Sequence, residues 1–215
     1  LSEIELRNTY RPFYNLDHET LDKVQEWKSK FPDSYAAHLI RGTYFKRKGF
    51  EARGNKYISE TPQENIEKMR QYHEIAKIEL NTSLKLTQKP FLSVFHLLEI
   101  SQSDGDEKTS LALLASANRM LPSNTLVRNR FIRSLEPRWG GSYAQMKNFI
   151  AKSKAEGVST VGIMQLEAIM YDDMGFTSIE RDDTRAAIEN FLKALELGQR
   201  VGGEFRKDFL INSNY

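Results

Sequence analysis

Cysteine is absent from this chain of 215 residues. That one absence excludes disulfides, thiolate metal ligands and thiol nucleophiles together. It leaves the compartment open, because cysteine-free chains occur in oxidising and reducing surroundings alike. Long apolar runs are missing too. No stretch approaches the ~20 residues that a spanning helix requires, so no membrane span is expected. The opening residues, LSEIELRNTY, lack the basic and then apolar order of an export signal. The chain begins on Leu1 rather than Met, as a trimmed or processed product does. No excess of one charge is present: 31 basic residues stand against 29 acidic ones, for a net charge of +2. Nucleic acid selects a concentrated positive face, so no nucleic-acid partner is expected.

Chemistry-bearing motifs are equally scarce. His18, His38, His73 and His96 are the only histidines, and none lies at ligand spacing from another. HEIAK at 73 lacks the second histidine of a zinc-protease helix. SDGDE at 103–107 opens like a calcium loop, but the twelfth position is Ala115, which has no oxygen to offer. No nucleophile elbow, phosphate loop or dinucleotide fingerprint occurs. Asp172, Asp173, Glu180, Asp182 and Asp183 gather locally, as a solvated loop with a helix cap does, or as a face for a cation or basic partner would. The expectation is no metal, no cofactor, no catalytic residue and no enzyme.

What the chain does have is helical periodicity from end to end. Asp17 is placed to cap a helix through Lys30, with Leu21, Val24, Trp27 and Phe31 three and four apart. FPDS breaks it, and a second helix follows from Asp33 or Ser34 to about Lys48. Further helices are expected over 62–86, from Pro90, and over 107–121, 124–135, 142–155, 160–174 and 183–201. No run alternates as a strand would.

The helices also repeat. Ala187, Phe191 and Ala194 place small, large and small residues on one face, as closely approaching helices require. Ser110, Leu114 and Ala117 repeat that spacing, preceded by Leu98 and Gly105 and closed by Pro122. Ala76, Leu80 and Ser83 form a third copy, whose first helix carries Gly42 and Gly49. A fourth pairs Ala168, Tyr171 and Gly175 with Ala187. The spacing resembles tetratricopeptide-like helical repeats over about residues 33–201. The implied fold is all-α: antiparallel helical hairpins stacked as a tetratricopeptide-like solenoid, one domain over 1–215, with an insertion at about 50–75.

One stretch stands apart: PRWGGS, residues 137–142. With its surroundings, LEPRWGGSYAQMKNFIAKSKAEG, it resembles a bacterial family of unknown function with tetratricopeptide-like helices and a similar signature. The resemblance implies a helical fold and a bacterial cytoplasm or periplasm, but no reaction. Three readings of the residues stand side by side. In the first, Pro137, Gly140, Gly141 and Ser142 are a structural joint. Proline ends the preceding helix, the glycines permit a reversal, and serine caps the next helix, with Trp139 plugging the seam between helices. In the second, Arg138 and Trp139 are exposed partner anchors, joined by Arg128, Arg130 and Arg133 from the helix before. In the third, the Gly-Gly-Ser turn cradles a phosphate, although the lysine of a phosphate loop is absent.

Stacked hairpins leave a curved surface that grips other proteins. The expected function is a non-enzymatic protein–protein interaction module, and one concrete form is an immunity protein that blocks a cognate secreted toxin. The alternatives are a generic adaptor or self-assembling scaffold, and an enzyme built around the Arg138/Trp139 loop. An enzyme would bring several titratable groups together in a cleft.

Overall fold

A computed structural model describes residues 3–15, 17–56 and 58–202. Among the described residues the protein is all-α, with ten α-helices, three short 3-10 turns and no strand. The helices are α1 Glu3–Tyr10, α2 His18–Lys30, α3 Tyr35–Arg53, α4 Gln63–Lys85, α5 Phe91–Ser103, α6 Glu107–Met120, α7 Leu126–Arg133, α8 Tyr143–Ala155, α9 Thr160–Glu180 and α10 Thr184–Val201. The length anticipated for one domain is organised as two compact units, divided between Met120 and Leu121.

Helix starts follow local capping chemistry. The side chains of Asp17, Ser34, Ser142, Ser159 and Asp183 each accept a backbone N–H in the first turn of the helix that follows. In the first unit α3 packs along α4, α4 meets α5, and α5 meets α6. Leu39, Ile40, Leu80, Leu92, Leu98 and Ile100 are buried there. Stretch 50–75 is taken up by the last turn of α3, a short link and the first half of α4. The extra length therefore lengthens both arms of one hairpin. A buried carboxylate ties this unit together. Glu79 accepts from Lys28 Nζ at 2.8 Å and Arg41 Nε at 3.1 Å, and lies 2.6 Å from His38 Nδ1. Burial opposes its ionisation, but these hydrogen bonds win and hold its carboxyl below the usual value.

The amphipathic reading of α2 needs correcting. Val24 is buried, but Trp27 and Phe31 are 36% and 61% exposed. Apolar spacing marks a face, and what covers the face depends on the neighbours.

In the second unit α9 is the hub: α7, α8 and α10 all pack on it. Ile132, Met146, Leu166, Ala168, Ile169 and Ala194 form the core. Helix α9 runs six residues past the expected end at Met174. Gly175 is not a terminator but a point of close approach. A Cβ built on it would lie 2.5 Å from the ring of Phe191 on α10. In the first unit Gly42 admits Leu80 of α4 in a similar close approach. Each seam seats the large residue of the small-large-small pattern on a bare glycine backbone.

Candidate functional site

The PRWGGS segment forms a tight joint between α7 and α8. Glu136 is extended, as a residue before proline prefers. Pro137–Trp139 make a single 3-10 turn, and Gly140 follows in the left-handed region at φ 88°. The carbonyl of Glu136 accepts the N–H groups of Trp139 at 2.9 Å and Gly141 at 3.2 Å. A Cβ on Gly141 would collide with the backbone of Leu135. Ser142 then caps α8, its hydroxyl oxygen accepting the Gln145 N–H at 3.2 Å. Its hydroxyl also donates to Gln145 Oε1 at 3.0 Å.

The joint aims Arg138 at an ionic network on α9. Arg138 Nε donates to Asp173 Oδ1 at 2.9 Å, and Nη2 donates to the same oxygen. The same Nε lies 3.1 Å from Glu136 Oε2. Asp173 also accepts from the Tyr143 hydroxyl at 3.0 Å through Oδ2, and that hydroxyl lies 2.8 Å from Thr177 Oγ1. The Arg138 guanidinium sits 6.0 Å above the ring centre of Phe176. Above these contacts opens a cleft of about 370 Å³, lined by Arg130, Arg133, Glu136, Arg138, Trp139, Asp172 and Phe176.

Its electrostatics are unequal. Glu136 is 4% exposed. Burial and the nearby charge of Asp173 push its carboxyl up from 4.5 to about 7, against the pull of Arg138, Arg133 and a hydrogen bond from the Trp139 side chain. Burial also raises the Asp172 carboxyl. Glu136 Oε1 is buried without a hydrogen bond, with Arg133 Nη1 3.7 Å away. The floor of the cleft is thus carboxylic, desolvated and partly unmet.

The arginines separate by burial. Arg130 and Arg133 share the cleft, as their three-residue spacing implies. Arg128 does not belong with them: it is 1% exposed. Its Nη1 donates to Ser153 at 3.0 Å, and Nη2 donates to Glu156 at 2.8 Å and the Pro122 carbonyl at 3.1 Å. It is spent bracing α7 against the end of α8 and cannot meet a partner. Trp139 is no seam plug, being 56% exposed. The acidic cluster disperses as well. Asp172 and Asp173 are buried on α9, whereas Asp183 caps α10. Among the described residues no group of three or more His, Asp or Glu is placed to hold a metal ion.

The sequence reading did not anticipate Glu136, Asp173, Tyr143 and Phe176 as one site. Glu136 and Tyr143 flank the motif in sequence, whereas Asp173 lies 35 residues beyond Arg138, on α9 with Phe176. It also did not anticipate a second cleft, of about 530 Å³, between Trp27, Phe31, Pro32 and Ser34 in the first unit. No protein-family model, curated protein or solved structure matches this chain.

Proposed function

We propose that this chain is a non-enzymatic protein–protein interaction module of tetratricopeptide-like stacked hairpins, which grips a partner through the Arg133, Arg138 and Trp139 face of its second unit. The observation that carries the reading is the state of Trp139. A large indole is held 56% exposed by a proline turn and paired glycines, beside two half-exposed arginines. Exposed tryptophan and arginine on a rigid support are the residue types on which binding energy concentrates. The succession of α3 on α4, α4 on α5 and α5 on α6, and of α8 on α9 and α9 on α10, supports the hairpin reading within each unit. The glycine seams at Gly42 and Gly175 support a repeated origin. An immunity protein is the special case in which the partner is a toxin encoded alongside.

The test is capture of a partner by the wild type and loss of that capture in Trp139→Ala and Arg133→Ala. Both variants should remain folded, with an unchanged helical circular-dichroism spectrum and a cooperative melt. The captured protein must then bind the purified chain directly at equal stoichiometry. For the immunity case it must also be a toxin whose activity the chain blocks. Capture that survives both substitutions refutes the assignment.

A second reading has one observation in its favour. Glu136, with its carboxyl near 7, lies beside Asp173 on one arginine nitrogen in an open cleft, and a carboxyl poised near neutral pH can serve as general acid or base. An enzyme so built loses turnover in Glu136→Gln, while partner capture persists.

A further inference from the structure

We propose that the cleft of the second unit receives an acidic segment of the partner protein, whose carboxylates pair with Arg133 and Arg138 while a neighbouring apolar side chain lies on Trp139. This inference rests on the interaction-module reading and names the chemistry of what is bound.

The geometry separates a positive rim from a negative floor. The side chains of Arg133 and Arg138 are each 37% exposed, whereas those of Glu136 and Asp173 are 5% and 2% exposed. A partner therefore meets guanidinium and indole at the rim, before the carboxyls of Glu136 and Asp172 on the floor. The rim also keeps unspent donors. Among the described residues the Arg133 side chain makes no hydrogen bond; it lies 3.7 Å from Glu136, and its charge also reaches Asp172. Arg138 uses Nε and Nη2 on Asp173, and its Nη1 has no hydrogen-bond partner there. A planar guanidinium with free N–H groups fits a carboxylate in two-point contact. The floor holds these groups in position, so little freedom is lost on binding.

The floor also gives the reading a signature. Glu136 is faced by Arg133 from α7, by Arg138 and Trp139 from the turn, and by Asp173 from α9. Its carboxyl titrates near 7, and a second anion on the rim raises it further. Binding an acidic segment then takes up a proton, and affinity falls as pH rises through 7. A basic segment releases a proton instead, and its affinity rises.

The experiment uses the full chain carrying Trp27→Phe, which leaves Trp139 as the only tryptophan of the original two. Trp139 emission is followed during titration with the peptides Glu-Glu-Glu-Phe-Glu-Glu and Lys-Lys-Lys-Phe-Lys-Lys and with a ten-residue oligothymidylate, at pH 6 and pH 8. The acidic peptide should bind on the order of tenfold more tightly than the basic one at pH 6. It should weaken by about threefold to tenfold at pH 8. Arg133→Gln should lose about tenfold in affinity. Glu136→Gln, which keeps the shape of the floor, should remove the pH dependence. Equal binding of the two peptides, preference for the basic one, tighter binding of the oligonucleotide, or affinity that rises with pH each overturns the proposal. A basic peptide whose binding needs Trp139 overturns the acidic chemistry and leaves the interaction module standing. Neither peptide binding, together with partner capture that ignores Trp139, overturns both.

Discussion

Replacing Glu136 with glutamine should stabilise the second unit at pH 8 and leave it almost unchanged at pH 5. The carboxyl is buried, and its folded value near 7 stands well above the ordinary 4.5. Below 4.5 both the folded and unfolded chains hold the proton, and the acid form contributes in full. Between 4.5 and about 7 the unfolded chain gives up its proton while the folded chain keeps it, so stability falls as pH rises. Above 7 the loss is complete, at about 3 kcal/mol. Glutamine never ionises and escapes that loss. The attraction of Arg138 and Arg133 is already contained in the value near 7. The expected gain is therefore about 2–3 kcal/mol at pH 8. Urea unfolding in the Trp27→Phe background reads the second unit through Trp139. A Glu136→Gln protein no more stable than its parent at pH 8, or a difference that ignores pH, refutes the reasoning.

His96 in the first unit should act with the opposite sign. Burial, and then the charge of Lys46 with its Nζ 3.0 Å from Nδ1, push the ring down to about 4. The unfolded chain takes up a proton near 6.5 and the folded chain does not. Stability of that unit should fall by about 3 kcal/mol as pH drops from 6.5 to 4, measured through Trp27 in a Trp139→Phe protein; His96→Gln should flatten the profile. Gly141→Ala should cost more than about 2 kcal/mol, because the added Cβ meets the Leu135 backbone, which cannot step aside. Gly140→Ala should cost about 1 kcal/mol for a left-handed φ alone; urea midpoints that rank the two in the other order refute the turn geometry. Gly175→Ala should cost about 1–3 kcal/mol by forcing the Phe191 ring from its seat, with part recovered in Gly175→Ala/Phe191→Leu. Thermal melts that show no loss refute the seam.

Helix positions were legible because the signals are local. Asp17, Ser34, Ser142 and Asp183 cap where their residue types say they should, each accepting the N–H three residues on. Helix ends were less so. The ends expected at Lys48 and Met174 are overrun, to Arg53 and Glu180. A glycine costs about 1 kcal/mol inside a helix and reads as a stop. At Gly175 that cost is offset by contact with Phe191, a partner 16 residues further on that no local pattern reveals. The site divides along the same line. Arg130 and Arg133 stand three apart, which sets them on one helix face, and they share the cleft. Spacing could not distinguish a solvated Arg128 from one consumed by Ser153 and Glu156, because those acceptors belong to α8 and its C-cap. Helix α1 carried no periodic stripe long enough to be read.

The joint and contact readings of PRWGGS exclude each other only while Trp139 is assumed to be buried. With the indole outside, Pro137, Gly140, Gly141 and Ser142 set the backbone, and that backbone decides where Arg138 and Trp139 point. Folding alone gives no reason to keep Glu136 and Asp172 desolvated on α9 and beside it, where apolar residues of like volume would cost less. Asp173 differs, since Arg138 and Tyr143 meet its oxygens. A carboxylate retained at a cost of about 3 kcal/mol above neutral pH has a natural use under a cationic rim. It holds the guanidinium in place yet yields its charge when another anion arrives. On that view the instability of Glu136 and the grip of Arg133 and Arg138 are one property, and a variant that relieves the first while leaving the pH response of the second intact separates them.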